Sequence, residues 1–452
     1  MIEKNKIINL SITDTANTGY GVAKLNNNVF FVQNSVCGDQ VEALVIKETK
    51  NYSVARIEKI LSPSKNRIEN DCACYKSCGG CTFRHVKYEY EAEIKRQFVI
   101  AALKKCGFDN IKVAETEVGN EYNYRNKVQY PISSDKSGNL FCGFFSEYTH
   151  NIINADGCKT ESTVFANIKN ILMKIMTSQN LKPYDETTGS GILRHVYLRT
   201  NRIGEVCVCI VINADALPNC EQIADELINK CPAVKSFFVN INKENTNVIM
   251  GENTFLIRGK KQLSDVLCGK KFNISPQSFY QVNSDMAERL YEKAKSLLSL
   301  DDKQVLLDLY CGIGSIGISI INEKNSLCGV EIIPEAVENA RLNASLNELE
   351  HNSRFICGDA SLGISECKKL FKKIDAIIVD PPRKGLSIEA TRGIIASNCK
   401  KIVYISCNPN TLARDLRLFN DSGYTFKTVY PFDLFPRTEH VECVVLMTRQ
   451  EA

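Results

Sequence analysis

No stretch of this chain stays apolar for the length of a membrane-spanning helix. Its opening residues, MIEKNKIINLSITDT, hold neither an apolar core nor a small-residue cleavage site. No membrane association is expected, and a cytoplasmic location is. Charge of one sign is lacking too: 56 Lys and Arg face 52 Asp and Glu, leaving a formal +4. So small an excess permits a polyanionic partner without demanding one, and any case for nucleic acid must come from particular sites. The chain also has no internal repeat, no low-complexity segment and no Gly-Lys-Ser/Thr phosphate loop, which argues against a solenoid and a P-loop enzyme.

Cysteine is what the chain has in excess, with 20 in 452 residues. Cytoplasmic thiols stay reduced, so these are not read as a disulfide framework. Most sit singly in apolar runs, as Cys207 and Cys209 do in EVCVCIVIN, and read as small buried hydrophobes. The stretch DCACYKSCGGCTFRH is different. It packs Cys72, Cys74, Cys78 and Cys81 into ten residues, a density that argues for a metal site over packing.

A chain this long exceeds what one core sustains, so two or three domains are expected. Residues 1–61 alternate in short strand-like runs with Asn-rich turns, as in YGVAKLNNNVFFVQN, and predict a small β-barrel or sandwich. Residues 62–270 are mixed α+β: the cysteine cluster, a helix over YEYEAEIKRQFVIAALKKCG, then strand-like segments such as ILRHVYLRTNRIGEVCVCIVIN. From 271 to 452 apolar strands alternate with helices, the pattern of a doubly wound, mostly parallel α/β sheet. Two strands at the end are joined too closely for a crossover and should pair as an antiparallel hairpin.

The chemistry is expected at the carboxyl ends of those last strands, where open α/β sheets bind ligands. In LLDLYCGIGSIGI a strand runs to Asp308, and Gly312 and Gly314 open a turn into a helix, with the glycines read as not matching the G-x-G-x-x-G dinucleotide fingerprint. The next strand ends at Glu331, placed to accept both hydroxyls of a ribose, and the third at Asp359, suited to an adenine amino group. This glycine turn followed by two acids is what an S-adenosylmethionine site needs. The fourth strand ends in Asp380, before the rigid Pro381-Pro382. The fifth ends in Cys407. Asn408 is a natural N-cap and Pro409 a good first helical residue, so a helix begins directly after the thiol and should favour its thiolate. A thiol nucleophile beside a methyl donor suits a pyrimidine: addition at C6 of uracil makes C5 nucleophilic, and a base must afterwards remove the C5 proton. Glu442 in RTEHVECVVLM is the candidate base, with Glu439 second.

Together LDLYCGIGSIGI, DPPRKG, SCNPNTLARDL and HVEC resemble the RNA uracil-C5 methyltransferases, which form 5-methyluridine. The resemblance implies a class I methyltransferase domain with Cys407 as nucleophile and Glu442 as base. It also implies that Tyr310, Glu331, Asp359 and Asp380 line the cofactor pocket, with Gln281, in SPQSFYQVN, contacting the cofactor. Cys72, Cys78 and Cys81 match the 4Fe-4S site of the ribosomal RNA branch of that family, and Cys158 matches its fourth ligand. Cys74 lies outside the pattern, so zinc or an alternative ligand stays open. The first 61 residues resemble the RNA-binding TRAM barrel of the same branch. The joint presence of barrel and cluster favours 23S ribosomal RNA over transfer RNA, with an unpaired uridine flipped into the site. NYRNKVQYPIS and ILRHVYLRT look like family segments that mix cations with aromatics, as RNA contacts do. A monomer is expected.

Two further readings compete. Cytosine-C5 methyltransferases also use a thiol, but carry Pro before it where this chain has Ser406. A non-catalytic, redox-responsive RNA-binding protein would not need Cys407 and Glu442.

Overall fold

The computed structural model describes residues 4–147 and 149–449. Strand Ile7–Ser11 pairs with Gln40–Glu48, and after Ile12 and Thr13 the same run pairs, as Asp14–Thr15, with Gly21–Leu25. Between those two partners the sheet continues through Ser53–Ser62 and Asn28–Gln33. One segment thus borders both edges and closes the sheet into a barrel, the closure marked by Thr13 N donating to Val22 O at 2.8 Å. Every second residue of Gln40–Glu48 points inward, so Val41, Ala43 and Val45 meet Leu10, Phe30 and Val32 in the interior. The Asn-rich turn is a two-residue hairpin: Asn26 and Asn27 have φ of 49° and 64°, the left-handed region such a turn requires.

The middle of the chain forms a seven-stranded sheet ordered Ile152–Asn154, Leu140–Phe145, Lys127–Ser134, Leu193–Thr200, Val206–Ile212, Val234–Ile241 and Asn253–Gly259. Only Val206–Ile212 and Val234–Ile241 run parallel, joined by helix Cys220–Lys230. That helix and Val164–Ser178 cover one face. Cys207 and Cys209 are buried on the other with Tyr197 and Phe238, as their apolar setting implied.

The C-terminal sheet holds nine strands. Five run parallel, in the order Ser353–Cys357, Ser326–Glu331, Val305–Leu309, Ala376–Val379 and Lys401–Ser406. The order reverses beside Val305–Leu309, which creates the switch-point crevice where such sheets bind ligands. Glu442–Arg449 then joins antiparallel to Lys401–Ser406, and Thr428–Phe432 pairs with it as the expected hairpin. Among the described residues no helix is long and apolar enough to cross a membrane.

One segment departs from the sequence reading, which placed residues 88–113 in the central unit. Helix Tyr88–Lys105 packs on helix Pro409–Asp421, and Lys112–Val113 is the outermost strand of the C-terminal sheet, parallel to Thr428–Phe432. Val99, Ala102, Leu103 and Val113 belong to that core. The reason is an ion network buried between distant parts of the chain. Lys95 Nζ bonds Glu91 at 2.8 Å and Asp433 at 2.6 Å with all three side chains out of water, and Arg437 N donates to Glu91 at 2.7 Å. Charges so placed must be paired, and Asp433 and Arg437 lie more than three hundred residues from Lys95 and Glu91 in sequence.

Candidate active site

The turn after Val305–Leu309 bends sharply because Tyr310, Gly312 and Gly314 have φ of 64°, 53° and 80°. For a tyrosine this costs about 1–3 kcal/mol, a strain that collects at functional sites. A Cβ on Gly312 would meet no atom within 4 Å, so the turn faces open space above the strand ends, whereas one on Gly314 would lie 2.8 Å from Ile318 Cδ1. Gly317 is a requirement that the sequence reading passed over. Its N donates to Asp308 Oδ2 at 2.9 Å, and a Cβ there would fall 2.6 Å from Leu327. The signal was present, since Gly312, Gly314 and Gly317 form the G-x-G-x-x-G spacing that lets backbone approach a nucleotide.

Carboxylates crowd this edge. Glu331 accepts from Gly312 N at 3.1 Å and Ile333 N at 3.0 Å, holding the turn against the neighbouring strand. Burial pushes Asp308 up to about 8, helped by Asp380 and Glu331, and its Oδ1 is buried without a hydrogen-bond partner. Burial likewise lifts Asp380 to about 7. An orphan acceptor and several acids around an open turn fit a cationic ligand such as S-adenosylmethionine. Asp359 is exposed and caps helix Ala360–Phe371, accepting from Ser361 N at 2.8 Å, which lowers its pKa. The strand-end position is as expected, yet its carboxylate serves the helix. Gln281 is held by its main chain, whose O accepts from Asn126 Nδ2 at 2.9 Å.

The thiol and the proposed base meet across a strand pair. Ser406 lies opposite Cys443, so Cys407 leaves one strand where Glu442 enters its antiparallel neighbour. Asn408 caps the following helix as expected, accepting from Asn410 N at 3.0 Å. The expected thiolate is not what this setting favours. Burial, then Glu442 and Asp380, push Cys407 up to about 11, and Arg383 offsets this only in part. A helix terminus contributes about 0.3–1 kcal/mol, less than the 1.4 kcal/mol or so of a single pKa unit, so desolvation and like charge win. Glu442 is buried and pushed up to about 8 by burial and Asp380. His440 is held neutral by burial, and its Nε2 accepts from Arg383 Nη2 at 3.0 Å.

Above the thiol lies a cleft of about 840 Å³ that no single domain makes. Tyr20 and Phe31 of the barrel line one side, Cys78 and Cys81 another, and Arg383, Cys407 and His440 the floor. The basic segments expected to reach RNA are partly elsewhere. Leu193–Thr200 is an interior strand buried along its whole length, with Arg194 Nη1 donating to Asn242 O and Glu244 O at 2.8 Å. Arg125 stacks over Tyr124 and Phe435, 5.8 and 5.9 Å from their ring centroids. A cation–aromatic mixture in sequence does not distinguish a wet surface from a strand covered on both faces.

Cys72, Cys74, Cys78, Cys81 and Cys158 line one cavity of about 510 Å³, together with Arg84, Arg125 and Lys127. Among the described residues no three Cys, His, Asp or Glu side chains converge as ligands of a single metal ion. The expected ligand set is therefore gathered around a space but not drawn to a point. Burial raises Cys78 and lifts Cys81 to about 12. Thiols spread around a cavity with cations at its wall suit a polynuclear anionic cluster better than one tetrahedral zinc.

The fold is that of an α/β protein with a switch-point crevice at its strand ends, where a glycine turn, several acids, a thiol and a carboxylate share one edge. A model of the tRNA (uracil-5-)-methyltransferase family matches residues 87–450, from the helix that joins the C-terminal sheet to the last strand, and the chain belongs to that family. It is 39% identical to an uncharacterized RNA methyltransferase of Listeria monocytogenes over 99% of this chain and 98% of that one. It is 38% identical to one of Clostridium tetani over 99% and 97%. Its structure resembles, with a TM-score of 0.79 and 26% identity, the tRNA (uracil-54, C5)-methyltransferase of Pyrococcus abyssi in complex with S-adenosyl-L-homocysteine, over 97% of this chain and 99% of that one. The chain is an RNA methyltransferase that uses S-adenosylmethionine. A tRNA enzyme matched so fully has a counterpart of the barrel, so the barrel does not single out ribosomal RNA.

Proposed function

We propose that this protein methylates C5 of uracil in 23S ribosomal RNA, giving 5-methyluridine. The observation that carries this reading is the meeting of Cys407 and Glu442 at adjacent ends of paired strands, with Cys407 on the floor of the cleft beneath the barrel. The thiol gives its proton to solvent in the open cleft, its sulfur bonds C6, and the C5–C6 pair shifts to leave an enolate whose C5 is nucleophilic. When bound, S-adenosylmethionine would supply the electrophilic methyl group that C5 accepts, with S-adenosylhomocysteine as the leaving product. Glu442 then takes the C5 proton, the C5–C6 double bond re-forms, and the thiolate is expelled. Asp380 would hold the positive charge of a bound cosubstrate, and that charge would favour the anionic forms of Cys407 and Glu442 that burial disfavours.

Tyr310, Gly312, Gly314, Glu331 and Asp380 would hold the cofactor, with Gln281 and Asp359 at its margins. Cys72, Cys78, Cys81 and Cys158 would hold a 4Fe-4S cluster, its negative charge balanced by Arg84, Arg125 and Lys127. Methyl transfer needs no electron, so the cluster is assigned to folding the substrate-binding part. The closed barrel fits the TRAM role of gripping RNA, in a protein that acts as a monomer. The four-thiol site, not the barrel, is what favours ribosomal RNA. Transfer RNA is the second reading, favoured by the Pyrococcus likeness.

The test is incubation with a labelled methyl donor and unmodified 23S ribosomal RNA or transfer RNA. 5-Methyluridine should appear in the ribosomal RNA, and Cys407→Ala should abolish it. Glu442→Gln should instead accumulate a protein–RNA adduct that survives denaturing gels. Full activity in Cys407→Ala would remove the mechanism, and product confined to transfer RNA would change the substrate.

A further inference from the structure

The loop that ends in Glu442 is fastened to the loop that carries Cys81. Arg437 O accepts from Thr82 N at 2.7 Å and Phe83 N at 3.0 Å, and Arg437 Nη1 donates to Val86 O at 2.7 Å. Thr82 Oγ1 donates to the Glu439 carboxylate at 2.6 Å. One residue on, His440 accepts from Arg383, whose carbonyl accepts from Asn408 Nδ2 at 3.2 Å and Thr411 Oγ1 at 3.4 Å. Those two residues open the helix that follows Cys407. A continuous polar chain therefore runs from the residue after Cys81, through Glu439 and His440, to the residue after Cys407, and its members line the cleft.

We propose that Glu439, held by Thr82, is a positioning residue that sets the reach of Glu442 toward the C5 proton and ties the base to the cysteine loop. This rests on the uracil-methylation reading. Three observations carry it. Glu439 was the second candidate for the base, but its carboxylate is bound to Thr82, not aimed with Glu442 at the thiol. Its side chain keeps 30% of its exposure, so a neutral amide in its place does not strand a buried charge. Only His440 and Val441 separate it from Glu442, so a change in its anchor moves the base before anything else. Misplacing a reacting group by about 1 Å can cost on the order of a hundredfold in rate.

RNA carrying 5-fluorouridine isolates the step. Its C5 fluorine cannot be taken by a base, so addition and methyl transfer proceed and the adduct accumulates without Glu442. Glu439→Gln and Thr82→Val are expected to form that adduct within about twofold of the wild-type rate. On uridine RNA they should lose about tenfold or more in kcat with KM unchanged, and Thr82→Ser should restore it. Unchanged kcat in both variants, or an equal loss in adduct formation, overturns the proposal. Absence of the adduct in the wild-type protein overturns the methylation reading itself and the proposal with it.

Discussion

Cys407 and Glu442 share one electrostatic problem. Glu442 is buried and Cys407 half-buried: burial with Glu442 and Asp380 moves the thiol to about 11, and burial with Asp380 moves the carboxyl to about 8. The proposed reaction requires Glu442 as its anion when the C5 proton leaves and Cys407 as its anion when C6 is attacked. The sign follows directly: kcat/KM should rise with pH through about 8 and keep rising toward 9, where an ordinary carboxylate base would already have reached a plateau. A pH profile of kcat/KM for the methyl donor, which reports the donor-free protein, checks this, and a flat profile from pH 6 to 9 contradicts it. At the same scale, Asp308 shows how burial couples to stability. Its folded pKa lies above its usual carboxyl value, so its contribution is present below that ordinary value and is lost as pH rises through about 8. Thermal stability of the ligand-free protein should fall from pH 6 to 9, and Asp308→Asn should flatten that slope.

Among elements, helix Tyr88–Lys105 matters most. Lys95 neutralises Glu91 and Asp433 at its buried face, and that contact seats the loop leading to Glu442. Removing one partner of a buried ion network typically costs about 3–5 kcal/mol, because the others are left charged and unpaired. Lys95→Met should therefore lower the unfolding free energy by that order, read as a lower denaturant midpoint, while leaving secondary structure in place, as circular dichroism would report. The helix itself was readable from its sequence. Its address was not, because the 3.6-residue period says which face is buried without saying against what. The same holds for Leu193–Thr200: its strand character is local, whereas its burial comes from neighbours on both sides.

At the scale of the whole molecule the cleft is a joint product. Phe31 reaches it from the barrel, the cysteines from the central unit and Cys407 from the C-terminal sheet. Single-stranded nucleic acid gains about 1–3 kcal/mol per base stacked on an aromatic ring. Phe31→Ala should accordingly raise the Kd for substrate RNA roughly tenfold or more without changing affinity for the methyl donor, measured by separate titrations. The cysteine cavity gives a second test: anaerobically purified protein should show broad visible absorbance and bound iron, both lost in Cys78→Ser and Cys158→Ser. Bound zinc without colour would replace the cluster with a single-ion site.

Sequence by itself determined the elements and the order of chemistry along the C-terminal sheet. Alternation of strands and helices, glycines at a left-handed turn, acids and a thiol at successive strand ends, and Asn408-Pro409 at a helix start are all local signals, set by backbone geometry over a few residues. Tertiary structure alone decided the rest. It moved residues 88–113 into the C-terminal core, buried Arg194 and Arg199, gathered Cys158 to the other cysteines, and brought the barrel over the thiol. It also set the charge of Cys407, because desolvation and the field of Glu442 and Asp380 are sums over atoms far apart in the chain. No spacing of residues along a strand records that sum.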